Sequence, residues 1–219
     1  MGQAIAARLS EQPDMQLAGI WTRDADLDAL LEVSDVLIDF SLPAGTETLL
    51  DAVIQHERPL VCGVSGLSDA QVRKLESAAA RVPLVYDRNM SLGVAVLERA
   101  VRDAAAALGM EFKVVIAETH HIHKKDAPSG TALKLGEAIA SARGDEDAGA
   151  IQYEVERVGE VPGDHEVAFT SDNERLSFAH SVTSRDVFAD GALRAARWVI
   201  GRSAGLYRMS DVLIGEARP

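Results

Sequence analysis

Apolar residues in the first ninety positions alternate between short continuous runs and helical spacings. Spacing of i, i+3, i+4 predicts a helix over 2–9, stopped before Pro13, and an apolar run predicts a strand over 15–21. After a short acidic connection come a strand over 36–40, a helix over 46–55, a strand over 60–64, a helix over 69–80 and a strand over 84–86. That rhythm implies a parallel sheet with right-handed crossovers. Polar residues close each run: Thr22 and Arg23, Ser41, Gly63 and Ser65, then Asp87, Arg88 and Asn89. Open α/β sheets bind ligands at those carboxyl ends.

After Met90 the pattern changes. A long helix is predicted over 92–108 and a strand over 112–117. A polar loop and another helix follow, with Leu135, Ala138, Ile139 and Ala142 on one face. Strict alternation over 151–155, 167–170 and 176–182, with a turn at 171–174, reads as antiparallel sheet. A last helix is expected over about 192–201. The fold class is therefore α/β. A Rossmann-like parallel-sheet domain spans 1–90 and is completed by about 191–219; a smaller α+β domain with a mixed or antiparallel sheet spans 91–190. The cleft between two such domains is the place to expect a ligand.

Composition narrows the picture. With 47% hydrophobic and 26% charged residues, the chain has the makeup of a globular protein. No apolar run is long enough to span a bilayer, and the opening residues lack a signal-peptide pattern, so no membrane association is expected. The single cysteine, Cys62, lies in a buried-strand pattern, which fits a reducing, cytoplasmic setting. A net charge of −12 argues against nucleic acid as a partner.

Against that acidic background one stretch is basic. Residues 118–132, Glu-Thr-His-His-Ile-His-Lys-Lys-Asp-Ala-Pro-Ser-Gly-Thr-Ala, hold three of the six histidines and two adjacent lysines just before a helix start. Imidazole and ammonium groups together can hold carboxylates and pass a proton. Ser129 is placed to cap the helix, so the Gly130 and Thr131 amides should lie in its first turn, where a carboxylate or phosphate can bind. The bland alternative is a cap beside a solvated loop. Zinc on His120, His121 and His123 is the chemical rival. Two neighbouring lysines would repel the cation and no His-Glu-x-x-His spacing is present, so no metal is expected.

Residues 118–132 resemble the signature E-x-H-H-x-x-K-x-D-x-P-S-G-T-A of the dihydrodipicolinate reductases. The resemblance continues through residues 36–46, Gly63-Val64-Ser65-Gly66, 89–94, Thr183-Ser184-Arg185 and 188–192. It implies NAD(P)H-dependent reduction of 4-hydroxy-tetrahydrodipicolinate or dihydrodipicolinate to tetrahydrodipicolinate, on the diaminopimelate route to lysine. On this likeness His120 is the proton donor and Lys124 its partner. His121, Ser129, Gly130, Thr131 and Arg185 contact the carboxylates of a small dicarboxylate substrate. Met1, Gly2, Arg23, Gly63, Val64, Ser65, Asp87, Arg88, Asn89 and Met90 fall on the cofactor side. The resemblance also implies a homo-oligomer, a tetramer in the family.

Two departures matter. The family opens with a strand and a glycine-rich turn ending G-R-M-G, of which Met1-Gly2 is the counterpart here, so a start inside that turn and weakened dinucleotide binding are expected. Where NAD-preferring members carry a glutamate, this chain has Thr22 followed by Arg23. An arginine there can pair with a 2′-phosphate, so NADPH is expected over NADH. The alternative of another class is a non-catalytic dicarboxylate-binding or regulatory relative that has lost its dinucleotide loop.

Overall fold

The computed structural model describes residues 1–144 and 151–214, in two compact units: Met1–Leu92 with Asp186–Pro219, and Gly93–Arg185.

The first unit is built on a parallel four-stranded sheet. Its strands are β1 (Leu37–Asp39), β2 (Leu60–Cys62), β3 (Pro83–Tyr86) and β8 (Gly205–Tyr207), in the order β1-β2-β3-β8. β2 is wholly buried, as a strand covered on both faces must be. The helices are α1 (Gly2–Leu9), α2 (Leu27–Glu32), α3 (Pro43–Gln55), α4 (Asp69–Ala79), α7 (Asp186–Val199) and α8 (Met209–Ile214). Pro43 at the first turn of α3 costs no hydrogen bond, which starts that helix three residues before the expected position. The acidic connection contains α2, capped by Asp26, which accepts from the Ala29 N–H at 3.2 Å. Buried Asp39 accepts from Ser41 N at 2.8 Å and Thr46 Oγ1 at 2.7 Å, which ties the end of β1 to α3. Gly191 lets α7 sit against the chain: a Cβ there would fall 1.8 Å from the Met90 carbonyl oxygen.

One expected strand is missing. Residues 15–21 join no ladder, and Leu17 and Ile20 remain 44% and 55% exposed. The cause is the lack of a neighbour. Among the described strands β1 pairs with β2 alone, and a cavity of about 800 Å³ is lined both by 15–21 and by β1. An apolar run becomes a strand when another backbone accepts its hydrogen bonds. The loop just before it is nevertheless fixed, since Arg197 on α7 donates to both oxygens of Asp14 at 2.6 and 2.7 Å.

The second unit has its own core and a mixed sheet. Strands β4 (Lys113–His120), β5 (Ile151–Arg157), β6 (Asp164–Thr170) and β7 (Arg175–Ser181) lie in the order β5-β4-β6-β7. β5 is parallel to β4, whereas β6 is antiparallel to β4 and β7 to β6, so of the two expected forms the sheet is the mixed one, and residues 151–155, read as antiparallel, pair in parallel. Helices α5 (Leu92–Leu108) and α6 (Gly130–Arg143) contribute Leu97, Val101, Leu135 and Ile139 to a core with Val114, Ile116, Val167 and Phe169.

Candidate active site

β4 continues three residues beyond the expected strand because both neighbours extend with it: His120 pairs in register with Arg157, and Glu118 with His165. Period-two alternation then puts Val114, Ile116, Glu118 and His120 on one buried face. The strand therefore carries core residues at one end and chemistry at the other.

Glu118 is the hub of this end. Its carboxylate is 2% exposed and accepts from the Ser129 N–H with both oxygens at 3.1 Å and from Arg157 Nη2 at 3.1 Å. A buried carboxylate needs such partners. Arg157 also donates to the Lys124 and Asp126 carbonyls, which holds the basic loop in place. His120 Nδ1 lies 3.7 Å from Glu118 Oε2, and His165 Nε2 lies 3.8 Å from the same oxygen. The two imidazoles meet edge to face with centroids 5.1 Å apart.

Lys124 faces a carboxylate of its own chain. Its Nζ is 2.8 Å from both Asp126 oxygens, and Gly130 N–H also donates to Asp126. Burial pushes the Asp126 carboxyl up, but the Lys124 hydrogen bond and charge outweigh it and hold it below the usual carboxylate range. Asp126 thus marks a place where this loop and helix terminus already receive an anionic oxygen. Ser129 caps α6 by accepting from Ala132 N at 3.1 Å, and its Oγ is 3.3 Å from His165 Nε2, so this hydroxyl is engaged in support. Gly130 borders open space, since a Cβ there would meet no atom within 4 Å. Thr131 and His121 are half-buried on the same segment, and Arg185 is exposed at the end of this unit.

The rival zinc trio does not converge. His123 is exposed and sits 3.5 Å from Glu160, with its ring 6.1 Å from that of His121. Among the described residues a different trio, Glu118, His120 and His165, brings ligand atoms within 4.8 Å of one another. Its carboxylate is already engaged by Arg157 and Ser129 N.

Residues expected to hold the cofactor lie in the first unit. β1, β2 and β3 run parallel, so Ser41, Gly63 to Ser65 and Asp87 to Met90 follow the same ends of adjacent strands. Gly2, Arg23, Ser65 and Arg88 are exposed; Met1, Gly63 and Asn89 are half-buried; Val64, Asp87 and Met90 are buried. The Asp87 carboxylate accepts from Asn89 N at 3.3 Å and Met209 N at 3.4 Å, so it shapes the loop. Gly63 is needed for packing, since a Cβ would fall 2.4 Å from the Phe40 ring. Backbone amides, a hydroxyl and guanidinium groups along the carboxyl edge of a parallel sheet suit the ribose and phosphates of a dinucleotide. Cys62 is no nucleophile here: burial pushes its thiol up to about 12.

Models of the dihydrodipicolinate reductase N-terminus and C-terminus match residues 1–90 and 93–213. The chain belongs to the dihydrodipicolinate reductase family. The 4-hydroxy-tetrahydrodipicolinate reductase of Zymomonas mobilis is 42% identical over 97% of this chain and 92% of its own length. That of Nitratiruptor sp. is 42% identical over 86% and 80%. A dipicolinate-bound dihydrodipicolinate reductase from Paenisporosarcina sp. TG-14 superposes with a TM-score of 0.79 at 20% identity, over 94% of this chain and 92% of that one. Among the described residues no helix is long and apolar enough to cross a membrane.

Arg157, Asp126 and His165 have no role that the sequence pattern points to, and Glu118 stands in the motif without one. For Glu118 the signal was present: a carboxylate in step with Val114 and Ile116 on a core face demands a partner. His165 carries a stability cost. Burial first, then the neighbouring His120, lowers it from 6.5 to about 4. A lowered folded value means that the unfolded chain binds more protons as pH falls. Stability should therefore be level above about pH 6.5 and decline towards pH 4, by up to about 3 kcal/mol from this group. Urea unfolding across that window should show the slope, and His165→Gln should flatten it; an equal slope in the variant would assign the acid sensitivity elsewhere.

Proposed function

We propose that this chain reduces 4-hydroxy-tetrahydrodipicolinate to tetrahydrodipicolinate with a nicotinamide dinucleotide, in the diaminopimelate route to lysine; the 4-hydroxyl leaves as water, and the dihydrodipicolinate so formed takes up the hydride and one proton. The observation that carries the reading is the Glu118 hub, which gathers His120, Lys124 and the first turn of α6 on one anchored segment. In this reading Lys124, His121, Gly130 and Thr131 bind the substrate carboxylates, with Arg185 as a further cation. Lys124 acts as a mobile point charge, which suits a partner it must first exchange for Asp126.

The cofactor supplies a hydride. His120 supplies the proton, and its own state shows how. Burial lowers its affinity for a proton, Glu118 opposes that, and Lys124 and Arg157 lower it again. An arriving dicarboxylate adds negative charge beside the ring, which favours the imidazolium at the moment a donor is needed. Holding substrate and donor together also removes much of the entropic cost of the step.

Gly2, Gly63, Ser65, Arg88 and Asn89 would hold the dinucleotide, and NADPH is the form favoured, because Arg23 is exposed beside Thr22 with no carboxylate at that position. Arg23→Ala should raise the Kd for NADPH about tenfold, the lower range for one charge-assisted bond, while the Kd for NADH moves little. Equal changes for both cofactors would separate Arg23 from the 2′-phosphate. The function is tested by substrate-dependent oxidation of NADPH by the purified chain; oxidation without the dicarboxylate, or none with it, would count against the reading.

A further inference from the structure

Each imidazole of the Glu118 cluster has one nitrogen near the carboxylate and one elsewhere. For His120 the near atom is Nδ1, at 3.7 Å, and for His165 it is Nε2, at 3.8 Å. A lone pair aimed at a carboxylate is repelled and an N–H is attracted, so a carboxylate neighbour selects the tautomer. Within the described residues the Nδ1 atoms of both rings have no hydrogen-bond partner, so no other group competes with Glu118 for His120 Nδ1. Glu118 is itself held by hydrogen bonds, with both oxygens on Ser129 N and one on Arg157.

Resting on the proposed proton transfer by His120, we propose that Glu118 and His165 are positioning residues that fix His120 as the Nδ1–H tautomer and make Nε2 the atom through which its proton leaves. His165 serves as the wall. Its Nε2–H points to Ser129 Oγ, at 3.3 Å, and to Glu118, and this holds the ring against His120. Gly163, two residues before His165, keeps His120 Nε2 clear: a Cβ there would come within 3.0 Å of His120 Nε2, and the Gly163 φ of 154° is one that other residues rarely adopt. In the step itself the Nε2–H bond of the imidazolium breaks and its proton bonds to the substrate ring. The pair left on Nε2 restores the neutral Nδ1–H form.

The first test needs neither variant nor substrate. Long-range ¹H–¹⁵N spectra of the imidazoles, taken on the full chain above the titration range, should show neutral His120 protonated on Nδ1 and His165 on Nε2. Neutral His120 protonated on Nε2 would overturn the proposal whether or not the chain is a reductase. The second test compares two variants. His165→Phe keeps a ring but removes the N–H, and should lower kcat about tenfold with KM for the dicarboxylate within about threefold, as expected when orientation in the transition state is lost. His165→Gln places an N–H near the same point and should recover most of that loss. Equal losses in both variants, a change confined to KM, or full activity in His165→Phe would reject His165 as a positioning residue. If either variant fails to fold, the tautomer spectra of the unaltered chain still decide. A wild-type chain without reductase activity but with the stated tautomers would defeat the proposed function and leave the Glu118 geometry intact.

Discussion

Replacing His120 by Gln should lower kcat by about two to four orders of magnitude, the range that a positioned proton donor contributes, while KM for the dicarboxylate changes by less than about threefold. The split follows from the site. His120 is buried at the end of β4, with Glu118 Oε2 3.7 Å from its Nδ1, whereas the groups suited to carboxylates, the Lys124 ammonium and the first-turn amides of α6, lie on the loop and helix start that follow. Gln is near in size and polarity and keeps an amide N–H, so the loss would report the missing titratable proton and not a cavity. Steady-state kinetics with thermal unfolding as a control would measure it. A variant with normal kcat would remove His120 from the chemistry, and one with raised KM and unchanged kcat would make it a substrate contact.

Lys124→Ala should damage both parameters. Its ammonium contributes a charge-assisted hydrogen bond of about 1.5–3 kcal/mol, or about ten- to a hundredfold in affinity. A second effect comes from Asp126. Lys124 neutralises that carboxylate at 2.8 Å, and removing the lysine leaves a negative charge facing an incoming dianion. We expect kcat/KM to fall about a thousandfold, and the double variant Lys124→Ala with Asp126→Asn to regain about tenfold by removing that repulsion. No recovery would show that Asp126 does not share the anion's place. Recovery to wild-type activity would show that the lysine serves only to silence Asp126.

The two units were legible in the sequence to different depths. Residues 60–64 could be read as a strand because a doubly covered parallel strand is apolar throughout, and residues 36–40 because their run is apolar but for Asp39; β2 and β1 lie within those runs. Residues 15–21 carry a similar signal without the outcome, because pattern describes what a segment could bury and not whether a neighbouring backbone is present to pair with it. At the site, the motif brought His120, Lys124 and the α6 cap together on adjacent positions of the chain. Its support comes from β5 and β6. Arg157 and His165 enter through ladder register, a property of strand pairing that periodicity along a single segment does not contain. Asp126 lies within the motif, but its role depends on the folded position of Lys124 Nζ, which the order of residues does not contain.

The central claim is that this chain carries out a reduction and is more than a dicarboxylate binder. It is tested most directly by following NADPH deuterated at the transferable position of the nicotinamide while 4-hydroxy-tetrahydrodipicolinate is supplied. The account predicts one deuterium in tetrahydrodipicolinate for each NADPH oxidised, and near-complete loss of that product with His120→Gln. Saturable binding of the dicarboxylate, seen by calorimetry, with no NADPH oxidised and no deuterium transferred would contradict it.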